Sequence, residues 1–362
     1  MIVTLLVFLA ILGGLVFVHE LGHFLVARWN GVWVREFAFG FRPRLFSKTI
    51  GDTEYALNAI PLGGYVRLYG ELPEEIGERS FKDKTPWQRF QVLVAGSVMN
   101  LLLGWLLLTI LFIVGFHPVF PGVDENPFIS QTPSVLVSKV AQDSPADKAS
   151  LQENDKITAV DGQALSTEKF ITYVNDHRGQ AVTLRVERNG SSSDVTLIPR
   201  EDPPAGQGAL GVALSQAEAI KTTPLKAPLA ALYETGRIIG VSAAGFGLFL
   251  RDLVVHQQVS PNVTGLVGVG ALTGVARRLG LGYLMQLVVM ISVGLGVINL
   301  MPILPLDGGH IAALVYEKIA GRPLSERQFS GLITAGLVFV IFIFVLVTYE
   351  DILRFDVFSR LF

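Results

Sequence analysis

The sequence HELGH, residues 19–23, lies inside an apolar run that extends from residue 2 to residue 27. On a helix, side chains four positions apart lie one above the other on the same face. His19 and His23 are therefore predicted to bind one zinc ion, with Glu20 beside it as a general base. Ionisable groups at membrane depth are costly and usually functional, and a bound metal would explain all three.

The composition is typical of a membrane protein. Hydrophobic residues make up 50% and charged residues 17% of the 362 positions, and the mean hydropathy is +0.48. The net charge of −2 excludes the basic surface of a nucleic-acid-binding protein. Cysteine is absent, so any zinc site must use histidine and carboxylate ligands.

Four apolar stretches are long enough to cross a bilayer as helices. They cover residues 2–27, 92–116, 281–304 and 332–347. The segment 225–280 is also apolar, but glycine, proline and charged residues interrupt it, which predicts one or two helices at the membrane surface. The alternative is a fifth span across 238–250, which would reverse the C-terminal half and separate the two halves of the candidate site.

The positions of lysine and arginine predict the orientation of these spans. Ten such residues lie between the first two spans and three lie between the last two. Both loops are therefore predicted to be cytoplasmic, with residues 117–280 and both termini on the outer side. The end of the first span and the end of the third then reach a similar depth and are expected to share one site.

Asp307 is the leading candidate for a third protein ligand of the metal. It follows the third span in NLMPILPLDGGH, residues 299–310. Two prolines are expected to break the helix ahead of it, and Gly308-Gly309 would allow a tight turn after it. His310 is the rival ligand. A carboxylate with two imidazoles is a familiar hydrolytic zinc set, which favours Asp307.

Two further segments have strand-like patterns. In the first cytoplasmic loop, residues 54–60 and 64–68 flank Pro61-Leu62-Gly63 and predict a hairpin. Its apolar content would let it enter the membrane if protein or a cavity covers it; the alternative is an ordinary surface hairpin. Residues 134–200 predict a small α/β domain with strands at 135–140, 156–160, 181–188 and 194–198.

The predicted domain divisions follow from these segments. Residues 1–117 form the first membrane half, 118–208 a linker and the inserted domain, 209–280 surface helices, and 281–362 the second membrane half. Asn100 is a strongly polar residue within the second span. From the pattern alone, its predicted role is a hydrogen bond to a neighbouring helix.

Three motifs together make the chain resemble the site-2 protease family of intramembrane zinc metalloproteases. They are FVHELGHFLVAR at 17–28, GSVMN at 96–100 and INLMPILPLDGGH at 298–310. The resemblance implies one zinc ion per chain bound by His19, His23 and Asp307, with Glu20 as catalytic base. It also implies that residues 55–71 form a re-entrant β-loop and that substrate is positioned by Asn100 and Asn299 and, in that loop, by Asn58, Gly63 and Gly64.

Residues 134–200 resemble a single PDZ domain, through SPADKASLQENDKITAVDG at 144–162. Ser150 and Asn154 replace glycines that are usual in this pattern. Asparagine tolerates left-handed backbone, so the turn at 154 is expected to survive. The expected fold is a polytopic α-helical membrane protein with four transmembrane helices, a re-entrant β-hairpin and an inserted α/β PDZ domain.

The expected function is that of an intramembrane zinc endopeptidase. It would cleave single-span membrane proteins, such as anti-sigma factors after a first cleavage, in or near their transmembrane segments. The expected partners are these substrates and the lipid bilayer, without nucleic acid. The expected location is a bacterial cell membrane, with the PDZ domain outside and the catalytic site toward the cytoplasm. The alternative is a non-proteolytic scaffold whose PDZ domain binds peptide C-termini.

Overall fold

The computed structural model describes residues 2–70, 77–119, 122–129, 134–188, 190–204, 206–216, 219–256 and 263–354. The helices are α1 Ile2–Trp29, α2 Pro86–Val114, α3 Pro145–Lys148, α4 Thr167–Asp176, α5 Ala227–Arg251, α6 Leu266–Leu279, α7 Leu281–Asn299, α8 Asp307–Ala320 and α9 Glu326–Arg354. The strands are β1 Val34–Ile50, β2 Thr53–Leu68, β3 Val135–Val140, β4 Lys156–Val160, β5 Val182–Arg188, β6 Ser191–Leu197 and β7 Val212–Gln216. The chain forms two compact units, Met1–Leu107 with Thr235–Phe362, and Leu108–Glu234.

Five of the described helices are long and apolar enough to cross a membrane. Four of them, α1, α2, α7 and α9, correspond to the predicted spans. The fifth is α5, which continues as a π-helix to His256 and lies where surface helices were expected. The predicted number of four is therefore not confirmed. His19 and Asp307 lie together, whereas a fifth span was expected to separate the two halves of the site.

Local chemistry explains where the membrane helices begin and end. Before α2, the Thr85 hydroxyl accepts the Gln88 N–H at 3.3 Å while the Gln88 side chain accepts the Thr85 N–H at 3.1 Å. Ser325 and Gln328 make the same capping box before α9. These reciprocal bonds satisfy backbone donors that have no partner inside the helix. At the other end, α7 stops at Asn299 rather than at 304, because prolines follow at 302 and 305.

The membrane helices approach one another closely at glycines, as expected where small residues replace a hydrophobic driving force. A Cβ atom at Gly22 of α1 would collide with the Ala95 carbonyl of α2. A Cβ atom at Gly296 of α7 would lie 3.1 Å from the Ser97 carbonyl oxygen. Consequently α1 and α7 both pack against α2 at the level of residues 95–97, and this places the ends of α1 and α7 near each other.

The sheet formed by β1 and β2, between α1 and α2, differs from the predicted hairpin, which is wrong in its pairing. Residues 36–39 pair with 64–67 on one side and with 54–57 on the other, and 54–57 pair in turn with 46–49. The segment 36–39 thus lies between the two predicted hairpin strands. Its Glu36, Phe37 and Ala38 are all buried, as expected for a central strand. One face of the sheet packs on α1, with the Phe24 and Phe37 ring centroids 4.9 Å apart.

The second unit contains a five-stranded sheet in the order β6-β5-β4-β3-β7, with antiparallel neighbours. The predicted strands β3 and β4 have the expected bounds, and Ser166 caps α4 by accepting the Lys169 N–H. Strand β7 was not predicted; it lies beyond the expected boundary at 208 and forms an edge of the sheet. Its pairing with β3 extends the domain past that boundary.

The predicted linker at 118–133 is partly ordered in its described residues. A turn of 3-10 helix covers Val123–Glu125, and buried Asn126 follows it. The Asn126 amide donates to the Ala230 carbonyl at 2.9 Å, and its side-chain oxygen accepts the Phe128 N–H at 3.1 Å. These bonds attach the segment to the first turn of α5, within the second unit.

Both residues that replace the expected PDZ glycines adopt left-handed backbone, with φ +61° at Ser150 and φ +72° at Asn154. An L-residue other than Asn or Asp pays about 1–2 kcal/mol in this region, which glycine avoids. Glycine also loses more backbone entropy on folding, so the net gain from Ser150→Gly is expected to be about 0.5–1 kcal/mol.

This gain should slow hydrogen exchange of the β3–β5 amides in the full-length protein about two- to fivefold, since 1.4 kcal/mol corresponds to tenfold. Asn154→Gly is the matched control and should change exchange less, because asparagine already tolerates this backbone. Faster exchange in the Ser150→Gly protein would contradict the strain assigned to Ser150.

Candidate active site

The predicted ligands His19, His23 and Asp307 converge on one point. His19 Nε2 lies 3.2 Å from Asp307 Oδ2, and His23 Nε2 lies 3.3 Å from the same oxygen. The two Nε2 atoms are 3.2 Å apart. Their positions on successive turns of α1 bring the imidazoles to one face, and the start of α8 brings the carboxylate.

The three ligand atoms fit a tetrahedral zinc site. Zinc bonds of about 2.0–2.1 Å at tetrahedral angles separate neighbouring ligand atoms by about 3.3 Å. The observed separations are 3.2, 3.2 and 3.3 Å. The triangle is therefore the one that a zinc ion needs, with the fourth position left for water or substrate.

The electron pairs at this point also favour a bound cation. His23 Nδ1 lies 2.8 Å from the Val92 carbonyl oxygen, which can only accept, so Nδ1 carries the proton and Nε2 presents a lone pair. Asp307 Oδ2 is buried and has no hydrogen-bond donor among the described residues. Buried electron pairs this close repel each other, and a metal ion between them removes the repulsion.

Gly96 of α2 makes room for the two imidazoles. A Cβ atom at this position would lie 2.7 Å from His19 Nε2 and closer still to His23 Nε2. Real Cβ atoms do not approach other atoms so closely, and the neighbours here are buried rings rather than flexible chain ends. The motif containing Gly96 was recognised from the sequence, but this reason for the glycine was not.

A compact turn presents Asp307. Side chains at 308 and 309 would collide with the backbone of the preceding turn, at Leu300 and Leu304 respectively. A Cβ atom at Gly336 of α9 would collide with the Leu304 carbonyl. Gly308 and Gly309 therefore allow the start of α8 to contact the backbone that follows α7. This contact holds Asp307 close to the end of α7.

Glu20 lies between the predicted metal ligands and the sheet of β1 and β2. A Cβ atom at Gly64 would be 3.2 Å from Glu20 Cγ, so glycine allows the strand to approach the carboxylate. The backbone N–H of Val66 is also close enough to interact with the Glu20 carboxylate. The carboxylate is thus held beside the ligand group by the strand segment 64–67.

The other predicted site residues have different surroundings. The rival ligand His310 packs its ring on Phe329, with centroids 5.7 Å apart, and does not belong to the ligand group. Asn58 is buried and donates to the Gly40 carbonyl at 2.9 Å, so its amide is used within the sheet. Gly63 faces the Phe41 ring. Asn299 ends α7 and is half-buried.

Asn100 is fully buried, and its Nδ2 lies 3.3 Å from His19 Nδ1. The hydrogen bond to a neighbouring helix, which the pattern alone predicted, is therefore confirmed, and the neighbour is a ligand-bearing helix. Its side chain has no exposed surface through which to contact a substrate.

An ion pair that sequence reasoning missed connects α2 to α8. Arg89 donates to both Glu317 oxygens, at 3.1 and 3.0 Å. This bidentate ion pair connects α8, which begins with Asp307, to α2, which contains Gly96 and Asn100. The partners are 228 residues apart in sequence, so no local spacing could have indicated the pair.

A family model described as Peptidase family M50 matches residues 7–343. The chain belongs to this family, the site-2 proteases. As an M50 peptidase it is a zinc metalloprotease, and its apolar helices are those of a membrane protein. The motifs at 17–28, 96–100 and 298–310 all lie within the matched residues.

Named relatives agree with the M50 assignment. A Mesorhizobium japonicum protein named "Putative zinc metalloprotease mll0638" is 34% identical, over 96% of this chain and 98% of the relative. A Salmonella typhimurium protein named "Regulator of sigma-E protease RseP" is 28% identical, over 97% and 98%. A solved PDZ domain of an SdrC-like protein from Listeria monocytogenes is 25% identical, covers 24% of this chain and 90% of its own, and gives a TM-score of 0.22.

Proposed function

We propose that this M50 peptidase cleaves a peptide bond in or near the transmembrane segment of single-span membrane proteins. One zinc ion would be held by His19, His23 and Asp307, with Glu20 as the general base. The observation that carries the proposal is the convergence of three ligand atoms, 3.2–3.3 Å apart. Two of them belong to α1, which is apolar enough to lie in the membrane.

The chemistry divides between the metal and the chain. Bound zinc would polarise a water molecule and the carbonyl group that it attacks. The Glu20 carboxylate accepts a proton from the water and later delivers it to the nitrogen of the leaving peptide. The Val66 N–H orients this carboxylate, and the burial of His19 and Asn100 keeps bulk water away from the far side of the site.

The substrate backbone must be extended to be cut, because a helix hides its amides in hydrogen bonds. In the described part of the chain, residues 64–67 pair on one side only, with 36–39. Their other edge belongs to the strand in which Gly64 packs against the Glu20 side chain. An unwound substrate segment adding to this edge as a further strand would bring its carbonyl groups to the ligand group. Gly64 remains a proposed substrate-contacting residue, and Asn299 a proposed positioning residue.

The proposed orientation places the arginine-rich loop between α1 and α2 in the cytoplasm, with the ligand group toward that side. The PDZ domain is then outside. In this arrangement α5 begins and ends on the outer side without crossing. Helix α6, which follows it, supports this, because Asp351 near the end of α9 accepts the Gly268 N–H at 2.7 Å and Gly274 packs on Thr4 near the start of α1.

Substrates of the anti-sigma-factor class, already shortened by a first protease, fit this arrangement. The relative named as a regulator of sigma-E protease supports this class. Peptide binding by the PDZ domain is a second proposed activity. It is supported by β7, an edge strand that packs beside α4, since PDZ domains hold peptides as an added strand.

Metal removal tests the proposed function. The purified full-length protein should carry one zinc ion per chain and cleave a single-span reporter in proteoliposomes. Removing the metal with a chelator should stop cleavage, and adding zinc back should restore it, because the electron pairs of the three ligands are directed at the metal position.

A second reporter, whose transmembrane segment has its glycines and prolines replaced by leucine, should be cut more slowly because it resists unwinding. Full cleavage by the zinc-free protein would refute the proposal. Peptide capture that requires only the PDZ domain, together with no metal in the purified protein, would favour the scaffold alternative.

A further inference from the structure

We propose that Asn100 is a positioning residue for the metal ligand His19. In this role its side-chain oxygen accepts the Nδ1–H of His19 and so holds Nε2 as the electron pair that faces the metal. The inference rests on the proposed metal site and concerns how that site is prepared. It replaces the substrate-positioning role that the family resemblance implied for Asn100.

The first argument is the protonation pattern of the ring. His19 Nε2 lies 3.2 Å from Asp307 Oδ2 and can ligate a metal only as a lone pair, so Nδ1 must carry the proton. Asn100 is the group that faces Nδ1, at 3.3 Å. With the amide NH₂ in that place, two donors would face each other, while the buried Asn100 Oδ1 has no partner among the residues that the structure describes.

A half-turn of the amide resolves both conflicts. Oxygen and nitrogen of an asparagine amide have nearly the same shape, and their assignment is decided by the hydrogen bonds that they make. After the exchange, Oδ1 accepts from His19 Nδ1–H, and the two facing donors are gone. The neutral ring then has its lone pair at Nε2, directed toward the ligand group.

The second argument is the match with His23. Its Nδ1 lies 2.8 Å from the Val92 carbonyl oxygen, an acceptor from the same helix α2. Val92, Gly96 and Asn100 are spaced by four residues and therefore lie on one face of α2. His19 and His23 have the same spacing on α1. One face of α2 thus orients His23 at one end, makes room in the middle, and orients His19 at the other end.

The third argument is that Asn100 is itself fixed in place. The Ser292 hydroxyl of α7 donates to the main-chain carbonyl oxygen of Asn100 at 2.8 Å, and both residues are fully buried. Helix α7 leads directly to the turn that carries Asp307. The same contact therefore holds the helix that orients His19 against the helix that leads to the third ligand.

The test measures zinc affinity by competition with a chelator, using the full-length protein in detergent. Asn100→Leu keeps the branched shape of the side chain but removes the acceptor, and it should weaken zinc binding about 10–100-fold, the usual effect of losing an outer-shell partner. Asn100→Asp keeps an acceptor at the same place and should bind zinc at least as tightly as the unmodified protein. Ser97→Ala is the matched control, since the Ser97 hydroxyl is buried on the same helix without a hydrogen-bond partner in the described part of the chain, and its removal should leave affinity unchanged.

Three outcomes are distinguishable. Weaker binding by Asn100→Leu with rescue by Asn100→Asp supports the positioning role. Unchanged affinity in Asn100→Leu together with a raised KM for the reporter overturns it and restores the substrate-positioning role. If Asn100→Leu fails to fold, loss of zinc affinity in the nearly isosteric Asn100→Asp overturns it as well. Failure of the unmodified protein to bind zinc would instead refute the proposed function.

Discussion

Replacing Glu20 with glutamine should lower the rate of reporter cleavage about 10²–10⁴-fold, the usual contribution of a general base. Glutamine keeps the shape of the side chain and its place beside Gly64, but it cannot accept a proton from water. The ligand atoms belong to His19, His23 and Asp307, so zinc content should remain at one ion per chain. Cleavage in proteoliposomes and elemental analysis of the same preparation measure the two quantities together.

A matched control is Glu350→Gln, which removes a carboxylate from α9, at the end of that helix away from the site. It should leave both cleavage and zinc content unchanged. If the Glu20→Gln protein cleaves the reporter at the unmodified rate, another group must supply the base. If it loses its zinc, the separation between ligands and base proposed for α1 is wrong.

The second large effect is expected from Gly96→Ala, which should prevent stoichiometric zinc binding. The added methyl group would overlap both imidazoles, at 2.7 Å from His19 Nε2 and closer to His23 Nε2. Both rings contact polar groups of α2, the Val92 carbonyl and the Asn100 amide, and cannot turn away without losing these contacts. Zinc affinity should therefore fall by more than the about 10–100-fold typical of an outer-shell change, and cleavage should fall with it.

Gly14→Ala provides the comparison, because a Cβ atom on Gly14 of α1 meets nothing within 4 Å. The two variants make the same change at membrane depth, so a difference between them isolates the contact with the histidines. Size-exclusion elution and resistance to proteolysis should match the unmodified protein in both. Unimpaired zinc affinity in the Gly96→Ala protein would show that the helices have room to separate.

The ligand group could be predicted from sequence because its signals are local. His19 and His23 are one helical turn apart, and Asp307 follows a helix that prolines must end. These rules hold whatever the rest of the chain does. The capping boxes at Thr85 and Ser325 are equally local, and they explain why α2 and α9 begin where they do.

The parts that sequence reasoning missed depend on partners distant in sequence. The segment 36–39 is a central strand because it pairs with both 54–57 and 64–67. A local sequence pattern cannot predict that one strand lies between two others. Strand β7 was missed for the same reason: it follows the Pro-Gly-rich segment 202–208 but pairs with a strand that precedes this segment by more than sixty residues. The role of Gly96 depends on rings from another helix, and the Arg89–Glu317 pair joins residues from opposite halves of the chain.

The distribution of the ligands along the chain has a consequence for biosynthesis. Residues 19, 20 and 23 are synthesised long before Asp307, which follows the second unit and most of the described helices. A partly synthesised chain therefore has an incomplete ligand set. The proposed metal site is therefore complete only after α8 has been synthesised.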